Sequence, residues 1–151
     1  MNEDMPDLTQ QEADGLMLVK KLFENKAAII VNRPYKEERR LISSTNNSDI
    51  FYLNINETAI EFGKYTANNR FFSIPLVRIC MDKDSVHENP GGELIKGSHI
   101  HLYKEKFGDK FATDLSLCNI TGTTTVQVLG QFLAFCNIEA IEIKTQDQLV
   151  I

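Results

Sequence analysis

Residues 39–81 read RRLISSTNNSDIFYLNINETAIEFGKYTANNRFFSIPLVRICM, and this stretch decides the fold class. β-Branched and aromatic residues occur in short runs that are separated by Asn-rich clusters, a pattern typical of consecutive strands joined by turns. Together with the segment before it, the stretch predicts an antiparallel meander with strands at residues 27–31, 39–44, 49–55, 59–65 and 70–81. Pro75 has no N–H to donate to a neighbouring strand, so the fifth strand must lie at an edge or contain a bulge there.

Further elements are predicted downstream of the meander. Residues 82–97 are predicted to be a polar loop, and strands are expected at residues 98–104 and 110–115 around the turn Phe107-Gly108-Asp109. The alternation of apolar and acidic residues predicts a last strand at residues 138–143, with which residues 149–151 would pair.

Helical patterns flank the strands on both sides. Thr9 and Glu12 have the spacing of a capping box, and the apolar residues that follow predict a helix over residues 10–24. Thr123 or Thr124 can cap a second helix, whose apolar spacing continues to Cys136 and which Asn137 is expected to end.

The predicted fold is therefore α+β. We expect a curved antiparallel sheet, or partial barrel, of about seven or eight strands that packs against an N-terminal and a C-terminal amphipathic helix. The length of 151 residues predicts a single domain, in which residues 1–8 form an acidic, flexible start.

The charge distribution excludes some classes of function. Five of the 21 acidic residues fall within the first fourteen positions, where there is no Lys or Arg, so the remaining 137 residues carry 16 acids and 16 bases. These 137 residues are therefore neutral overall, which does not favour direct nucleic-acid binding, because such binding requires a surplus of Lys and Arg. The acidic start lacks the pattern of a signal peptide, and no apolar run approaches the roughly 18–20 residues of a membrane span. We therefore expect a cytoplasmic protein that contacts no membrane.

The three histidines are the strongest indication of a functional site. His87, His99 and His101 all lie within a short window, and His99 and His101 are two residues apart on a predicted strand. Side chains at that spacing share one face and can converge on one metal ion. Imidazole ligands suit Zn²⁺, and also Ni²⁺, Cu²⁺ and Fe²⁺, better than they suit the hard cations Mg²⁺ and Ca²⁺. The sequence thus predicts a zinc site that includes all three histidines.

The fourth ligand is less well defined by the sequence. Cys80 is the leading candidate, because it ends the strand before the loop and zinc favours thiolate ligands. Asp82, Asp84, Glu105 and a water molecule are alternatives. The other two cysteines, Cys118 and Cys136, are expected to be reduced packing residues, since the chain has no CxxC motif.

Several motifs resemble those of a family of small, uncharacterised proteins carried by phages, prophages and mobile elements of low-GC Gram-positive bacteria. They are Arg78-Ile79-Cys80, His87-Glu88-Asn89-Pro90-Gly91-Gly92, Ser98-His99-Ile100-His101-Leu102-Tyr103, Phe107-Gly108-Asp109-Lys110-Phe111-Ala112 and Phe132-Leu133-Ala134-Phe135-Cys136-Asn137-Ile138. The family often has an acidic residue at the position of Cys80 and a cysteine near the position of Gly97, a difference that leaves the fourth ligand open.

The resemblance implies an accessory protein of a mobile element. Such proteins are frequently inhibitors of host defence, so the leading expectation is an anti-CRISPR protein that binds and inhibits Cas9 in the cytoplasm of a bacterial host. In that interpretation the zinc is structural and fastens the loop at residues 82–97, no residue is catalytic, and the acidic first helix meets a basic nuclease surface. The alternative is a metal-dependent hydrolase or nuclease, in which the histidine-bound ion activates water and Glu105 or Asp109 is the general base.

Overall fold

The computed structural model describes residues 7–31, 35–57 and 63–145, and over these ranges the predicted α+β fold is confirmed. The two α-helices of the described residues are α1 (Gln10–Leu18) and α2 (Thr125–Phe135), and a short 3₁₀ helix covers Leu115–Cys118. The strands are β1 (Lys21–Phe23), β2 (Ile29–Val31), β3 (Tyr35–Ser43), β4 (Ile50–Glu57), β5 (Tyr65–Phe71), β6 (Ile74–Met81), β7 (Val86–Glu88), β8 (Leu94–Lys96), β9 (His99–Leu102), β10 (Ala112–Thr113) and β11 (Ile143–Thr145).

Seven strands form one open antiparallel sheet in the order β1-β3-β4-β5-β6-β9-β10. The central part, from β3 to β6, is the meander that the sequence predicts. The predicted turn after β9 is confirmed as well, because β10 returns antiparallel to β9 with Ala112 opposite His101. The remaining strands form two pairs outside this sheet, β2 with β11 and β7 with β8.

The two faces of the sheet differ in polarity because side chains alternate along each strand. One cross-strand row places Ile55, Ala67, Ile79 and Ile100 side by side, and each of them is 2% exposed or less. This face forms the core, to which α2 contributes the buried residues Val128, Leu129, Phe132 and Leu133. The opposite face is polar, and it carries the residues of the predicted site.

The first helix is shorter than the predicted range of 10–24. The capping box of Thr9 and Glu12 is confirmed, but α1 ends at Leu18 and Val19 is already extended. Lys21 then begins β1, whose pairing with β3 outweighs the helical spacing of the apolar residues in this segment.

Lys21 is fully buried and ties the ends of both helices together. Its Nζ donates hydrogen bonds to the carbonyl oxygens of Met17, Val19 and Cys136, at 3.3, 3.1 and 2.7 Å. Burial lowers the pKa of this amine to about 8. The contacts give the end of α1 and the end of α2 a shared cation, which is the favourable charge at a helix C-terminus.

The predicted strand at residues 70–81 is divided. A turn at residues 72–73, in which Phe72 has a φ of 50°, separates β5 from β6. Opposite Pro75 the register between the two strands shifts at Asn69 and Arg70, so the proline lies at a bulge, as one of the two predicted options required. Of the strand predicted at residues 59–65, residues 59–62 lie outside the described part of the chain, and β5 covers Tyr65–Phe71, so residues 66–69 are strand and not the predicted turn.

Two other predictions about the strands were wrong. Residues 82–97 are not a plain loop, because they contain the β7–β8 hairpin. The predicted strand at residues 138–143 is reduced to a single bridge between Ile138 and Lys21, and β11 pairs in parallel with β2 instead. The segment 149–151 lies outside the described residues. Neither α1 nor α2 has the length and apolar character of a membrane-crossing helix.

Candidate metal centre

Neighbouring strands of the sheet bring three of the predicted ligands together on its polar face. Cys80 on β6 lies directly opposite His99 on β9, and Arg78 lies opposite His101. Because residues two apart on a strand share a face, these four side chains occupy two adjacent cross-strand positions.

The ligand atoms of Cys80, His99 and His101 all lie within 4.8 Å of one another. The two histidines are 4% and 3% exposed, and Cys80 is half-buried. One thiol and two imidazoles at this separation need only small side-chain movements to reach a zinc ion, whose bonds are about 2.0–2.3 Å long. This group is the candidate metal centre.

His87 reaches the same place from the β7–β8 hairpin but is not part of this group. Its ring centroid lies 5.4 Å from that of His99 and 4.7 Å from that of His101. The structure therefore brings all three predicted histidines together. His87 lies beside the group formed by the ligand atoms of Cys80, His99 and His101.

The hydrogen bonds of the two strand histidines determine which nitrogen is free. Nδ1 of His99 lies 2.8 Å from the carbonyl oxygen of Gly97, and Nδ1 of His101 lies 2.8 Å from that of Asp109. A carbonyl oxygen only accepts, so Nδ1 carries the proton in each ring and Nε2 keeps a lone pair. Metal-binding histidines are usually held in this way, with one N–H on a backbone carbonyl and the other nitrogen on the ion.

The turn after β9 supports most of the centre. In addition to the carbonyl that holds His101, its residue Lys110 places a carbonyl oxygen 2.9 Å from Nε2 of His87. The Asp109 carboxylate accepts a hydrogen bond from Nε of Arg78 at 3.2 Å, and Nη1 of Arg78 donates to Sγ of Cys80 at 3.0 Å. One turn thus fixes His87 and His101 directly and reaches Cys80 through Arg78.

Burial sets the protonation states of two residues of the centre. It lowers the pKa of His101 to about 4, with the Arg78 cation adding to the effect, so this ring is neutral at pH 7. Burial also raises the pKa of the Cys80 thiol, while the Arg78 cation acts in the opposite direction. A neutral imidazole is ready to bind a metal ion, whereas the thiol must lose its proton when the ion binds.

The centre opens into a pocket of about 630 Å³. The wall is formed by Arg78, Cys80, Val86, His87, Glu88, Asn89, Pro90, His99, His101, Asp109 and Lys110. A volume of this size is in the range of pockets that hold small molecules. The candidate ligands therefore face a space that a substrate can enter.

The carboxylates proposed as alternative fourth ligands are bound to other groups of the protein. Asp82 and Asp84 lie 3.5 and 3.8 Å from Nζ of Lys64. The carboxylate of Glu105 accepts a hydrogen bond from the backbone N–H of Gln10, at the start of α1 and away from the pocket wall. The structure thus places Glu105 outside the pocket wall, whereas Asp109, the other candidate general base, is part of it.

Asn89 is a residue of the site that sequence reasoning missed. It is 5% exposed, and its side-chain amide donates to the carbonyl of Ala112 and accepts from the N–H of the same residue, at 3.0 and 2.8 Å. The amide thus pairs with β10 as the peptide group of a neighbouring strand would. It holds the β7–β8 hairpin, on which His87 lies, against β10. The only signal in the sequence was the position of this Asn between His87 and Pro90.

The remaining predicted residues have structural roles. Cys118 and Cys136 are buried and free, as expected of packing residues. Within the acidic start, Glu12 accepts a hydrogen bond from the backbone N–H of Thr9 in the capping box of α1. The carboxylate of Glu12 therefore stabilises the start of α1.

Comparison with curated proteins and with solved structures finds no match to this chain. A family profile described only as a family of unknown function matches residues 8–138, a range that contains the whole candidate metal centre. The chain belongs to this family, DUF6978.

Proposed function

We propose that the protein is a metal-dependent hydrolase that binds one Zn²⁺ ion through Cys80, His99 and His101. The proposal rests on one observation: the ligand atoms of these three residues lie within 4.8 Å of one another on the wall of an open pocket. Catalytic zinc sites have three protein ligands and keep the fourth position for water or substrate, whereas structural sites are closed by four.

The placement of the ligands favours a catalytic ion over a structural one. Cys80 and His99 are already paired across two neighbouring strands of the main sheet, so an ion between them would fasten little that is not already held. A structural ion for residues 82–97 would need His87 as a ligand, and its hairpin is fastened to β10 by Asn89 without any ion.

A zinc ion with an open position polarises a carbonyl or phosphoryl oxygen and lowers the pKa of a bound water molecule to about 7. The residues of this chain would provide the rest of the site. The carbonyls of Gly97 and Asp109 orient the two ligand rings. His87, whose Nε2–H is held by Lys110, has a lone pair on Nδ1 and is the candidate to accept a proton from the attacking water.

Metal content tests the ligand assignment. We expect purified protein, loaded with zinc and dialysed, to contain close to one zinc per chain by elemental analysis. Each of the variants Cys80→Ser, His99→Ala and His101→Ala should lose most of this zinc. His87→Gln is the matched control and should keep it, because His87 lies outside the group of three. Wild-type protein without zinc would contradict the proposal, and loss of zinc from His87→Gln would indicate a closed, four-ligand site.

Hydrolysis of chromogenic phosphate and carboxylate esters tests the catalytic part. We expect activity that is lost on chelation, restored by stoichiometric zinc, and strongly reduced in His87→Gln at full zinc occupancy. A zinc-loaded wild-type protein that hydrolyses none of these esters would favour a structural ion instead.

Inhibition of a host defence nuclease such as Cas9 stays a prediction based on the sequence resemblance, as does a bacterial host cytoplasm. The surface assigned to it, the acidic first helix, uses Glu12 for its own capping box. A pull-down with Cas9 followed by a DNA-cleavage assay tests this prediction, and the absence of both binding and inhibition would remove it.

A further inference from the structure

We infer that the pocket binds a phosphate group, with one oxygen on the zinc ion and another on the guanidinium of Arg78. The inference rests on the proposed function, because it assigns the substrate class of the same site. It identifies the substrate of the hydrolase as a phosphoester.

Arg78 lies beside the candidate ligands. This residue lies opposite His101 in the register between β6 and β9 and two residues before Cys80, so its side chain lies on the same face of the sheet as the candidate ligands. The side chain is 31% exposed and forms part of the pocket wall. An oxyanion at the open position of the ion would therefore be next to a cation.

Two hydrogen bonds fix the orientation of the Arg78 guanidinium group. Its Nε is held by the Asp109 carboxylate at 3.2 Å, and its Nη1 is held by Sγ of Cys80 at 3.0 Å. Within residues 7–31, 35–57 and 63–145, the third nitrogen, Nη2, has no hydrogen-bond partner. Two contacts thus fix the plane of the group and leave the N–H donors of Nη2 for a ligand. Arg is favoured at phosphate sites because its donors are fixed in a planar fork.

The charge of the pocket also favours an anion once the ion is bound. Arg78 and Lys110 are balanced by Glu88 and Asp109 along the wall. A divalent ion bound by one thiolate adds a net positive charge, so the loaded site attracts an anion while the empty site does not. The pocket volume of about 630 Å³ leaves room for an organic group attached to the phosphate.

Calorimetric titration of the zinc-loaded full chain with inorganic phosphate, without free zinc, tests this inference. We expect phosphate to bind the loaded protein, and to bind the chelated protein at least about tenfold more weakly. Acetate is the comparison anion and should bind less tightly than phosphate. Absence of phosphate binding by a protein that contains one zinc per chain would overturn the inference and leave the metal site intact, whereas absence of zinc would overturn the proposed function.

Substitution of the arginine separates its role from that of the ion. Arg78→Gln should weaken phosphate binding by about tenfold or more at unchanged zinc content, since a charge-assisted hydrogen bond is lost. Arg40→Gln, which removes an exposed arginine on β3, is the matched control and should bind as the wild type does. Unchanged phosphate affinity in Arg78→Gln would contradict the assignment.

Arg78 contacts Cys80, so a second measurement avoids dependence on the variant. The wild-type protein is loaded with Co²⁺, and the ³¹P relaxation of phosphate is compared with that in the diamagnetic zinc protein. Strong paramagnetic relaxation is expected if a phosphate oxygen is bound to the ion. Relaxation equal to that of the zinc protein would place the phosphate elsewhere and overturn the inference.

Discussion

The backbone carbonyls of Gly97 and Asp109 decide the chemistry of the two ligand histidines. Each accepts from Nδ1–H and leaves Nε2 as the free nitrogen. Both rings are also almost fully buried, and burial lowers the pKa of His101 to about 4. The hydrogen bonds from Nδ1 therefore leave Nε2 of each ring as the nitrogen that is available to an ion.

The depressed pKa of His101 predicts a decrease in stability in acid for the metal-free protein. Its pKa is about 4 in the folded chain, against 6.5 for an unperturbed ring. Between these pH values the unfolded chain binds more protons, so the free energy of unfolding is highest above pH 6.5 and falls as the pH approaches 4. The full shift corresponds to at most about 3 kcal/mol, and contact with the open pocket reduces this figure.

Urea unfolding of chelator-treated protein as a function of pH measures this effect. His101→Gln lacks the titrating ring, so its stability should fall less over the same interval, while the carboxylates contribute equally to both proteins. Parallel pH profiles for the wild type and the variant would contradict the prediction.

Tyr103 fastens the segment before α1 to the sheet. Its hydroxyl donates to the carbonyl of Leu8 at 2.7 Å and accepts from the N–H of the same residue at 2.9 Å. Tyr103→Phe would leave both buried groups unpaired, so we expect a loss of about 1–3 kcal/mol in the free energy of unfolding, measured in urea. Tyr52→Phe, on the half-buried polar face, is the control and should change it by less than about 0.5 kcal/mol. Equal effects of the two substitutions would exclude the role assigned to Tyr103.

At the scale of elements, the side chain of Asn89 helps to fasten the β7–β8 hairpin to the main sheet. Asn89 makes three hydrogen bonds through its amide, two to the backbone of Ala112 and one to the carboxylate of Glu93. Among the strands that the structure describes, the hairpin makes no ladder with the main sheet, so this amide and the hydrogen bond between His87 and the Lys110 carbonyl link the strand pair to β10 and the segment before it.

Asn89→Asp keeps the shape of this side chain but replaces its donor with an oxygen that faces the carbonyl of Ala112. We expect a destabilisation of about 2 kcal/mol or more, because buried groups lose their partners. Hydrogen exchange should also become faster at the Ala112 amide. Asn56→Asp, at an exposed position on β4, is the control. Since His87 is outside the ligand group, zinc content should be unchanged, and a loss of zinc from Asn89→Asp would contradict that placement.

For the whole molecule, local patterns predicted the parts of the fold that depend on neighbouring segments. The meander from β3 to β6, the capping box of α1, the threonine cap of α2 and the shared face of His99 and His101 follow from local sequence patterns. Cys80 could also be predicted as a companion of these histidines, because it lies at the end of the predicted strand before the loop and zinc favours thiolate ligands.

Features that depend on distant segments could not be predicted in this way. The spacing of the apolar residues beyond Leu18 suits a helix, but pairing with β3 makes residues 21–23 a strand. The parallel pairing of β11 with β2 joins segments more than a hundred residues apart. The position of His87 depends on the bond from Asn89 to Ala112, for which periodicity gives no signal.

We expect one thiolate and two imidazoles of this chain to bind a single zinc ion that keeps one position open. X-ray absorption at the zinc edge of the loaded wild-type protein tests it most directly. The predicted first shell contains one sulfur at about 2.3 Å, two imidazole nitrogens at about 2.0 Å and one further oxygen or nitrogen that is exchangeable. A shell without sulfur, or one with three imidazoles and no exchangeable ligand, would contradict the account.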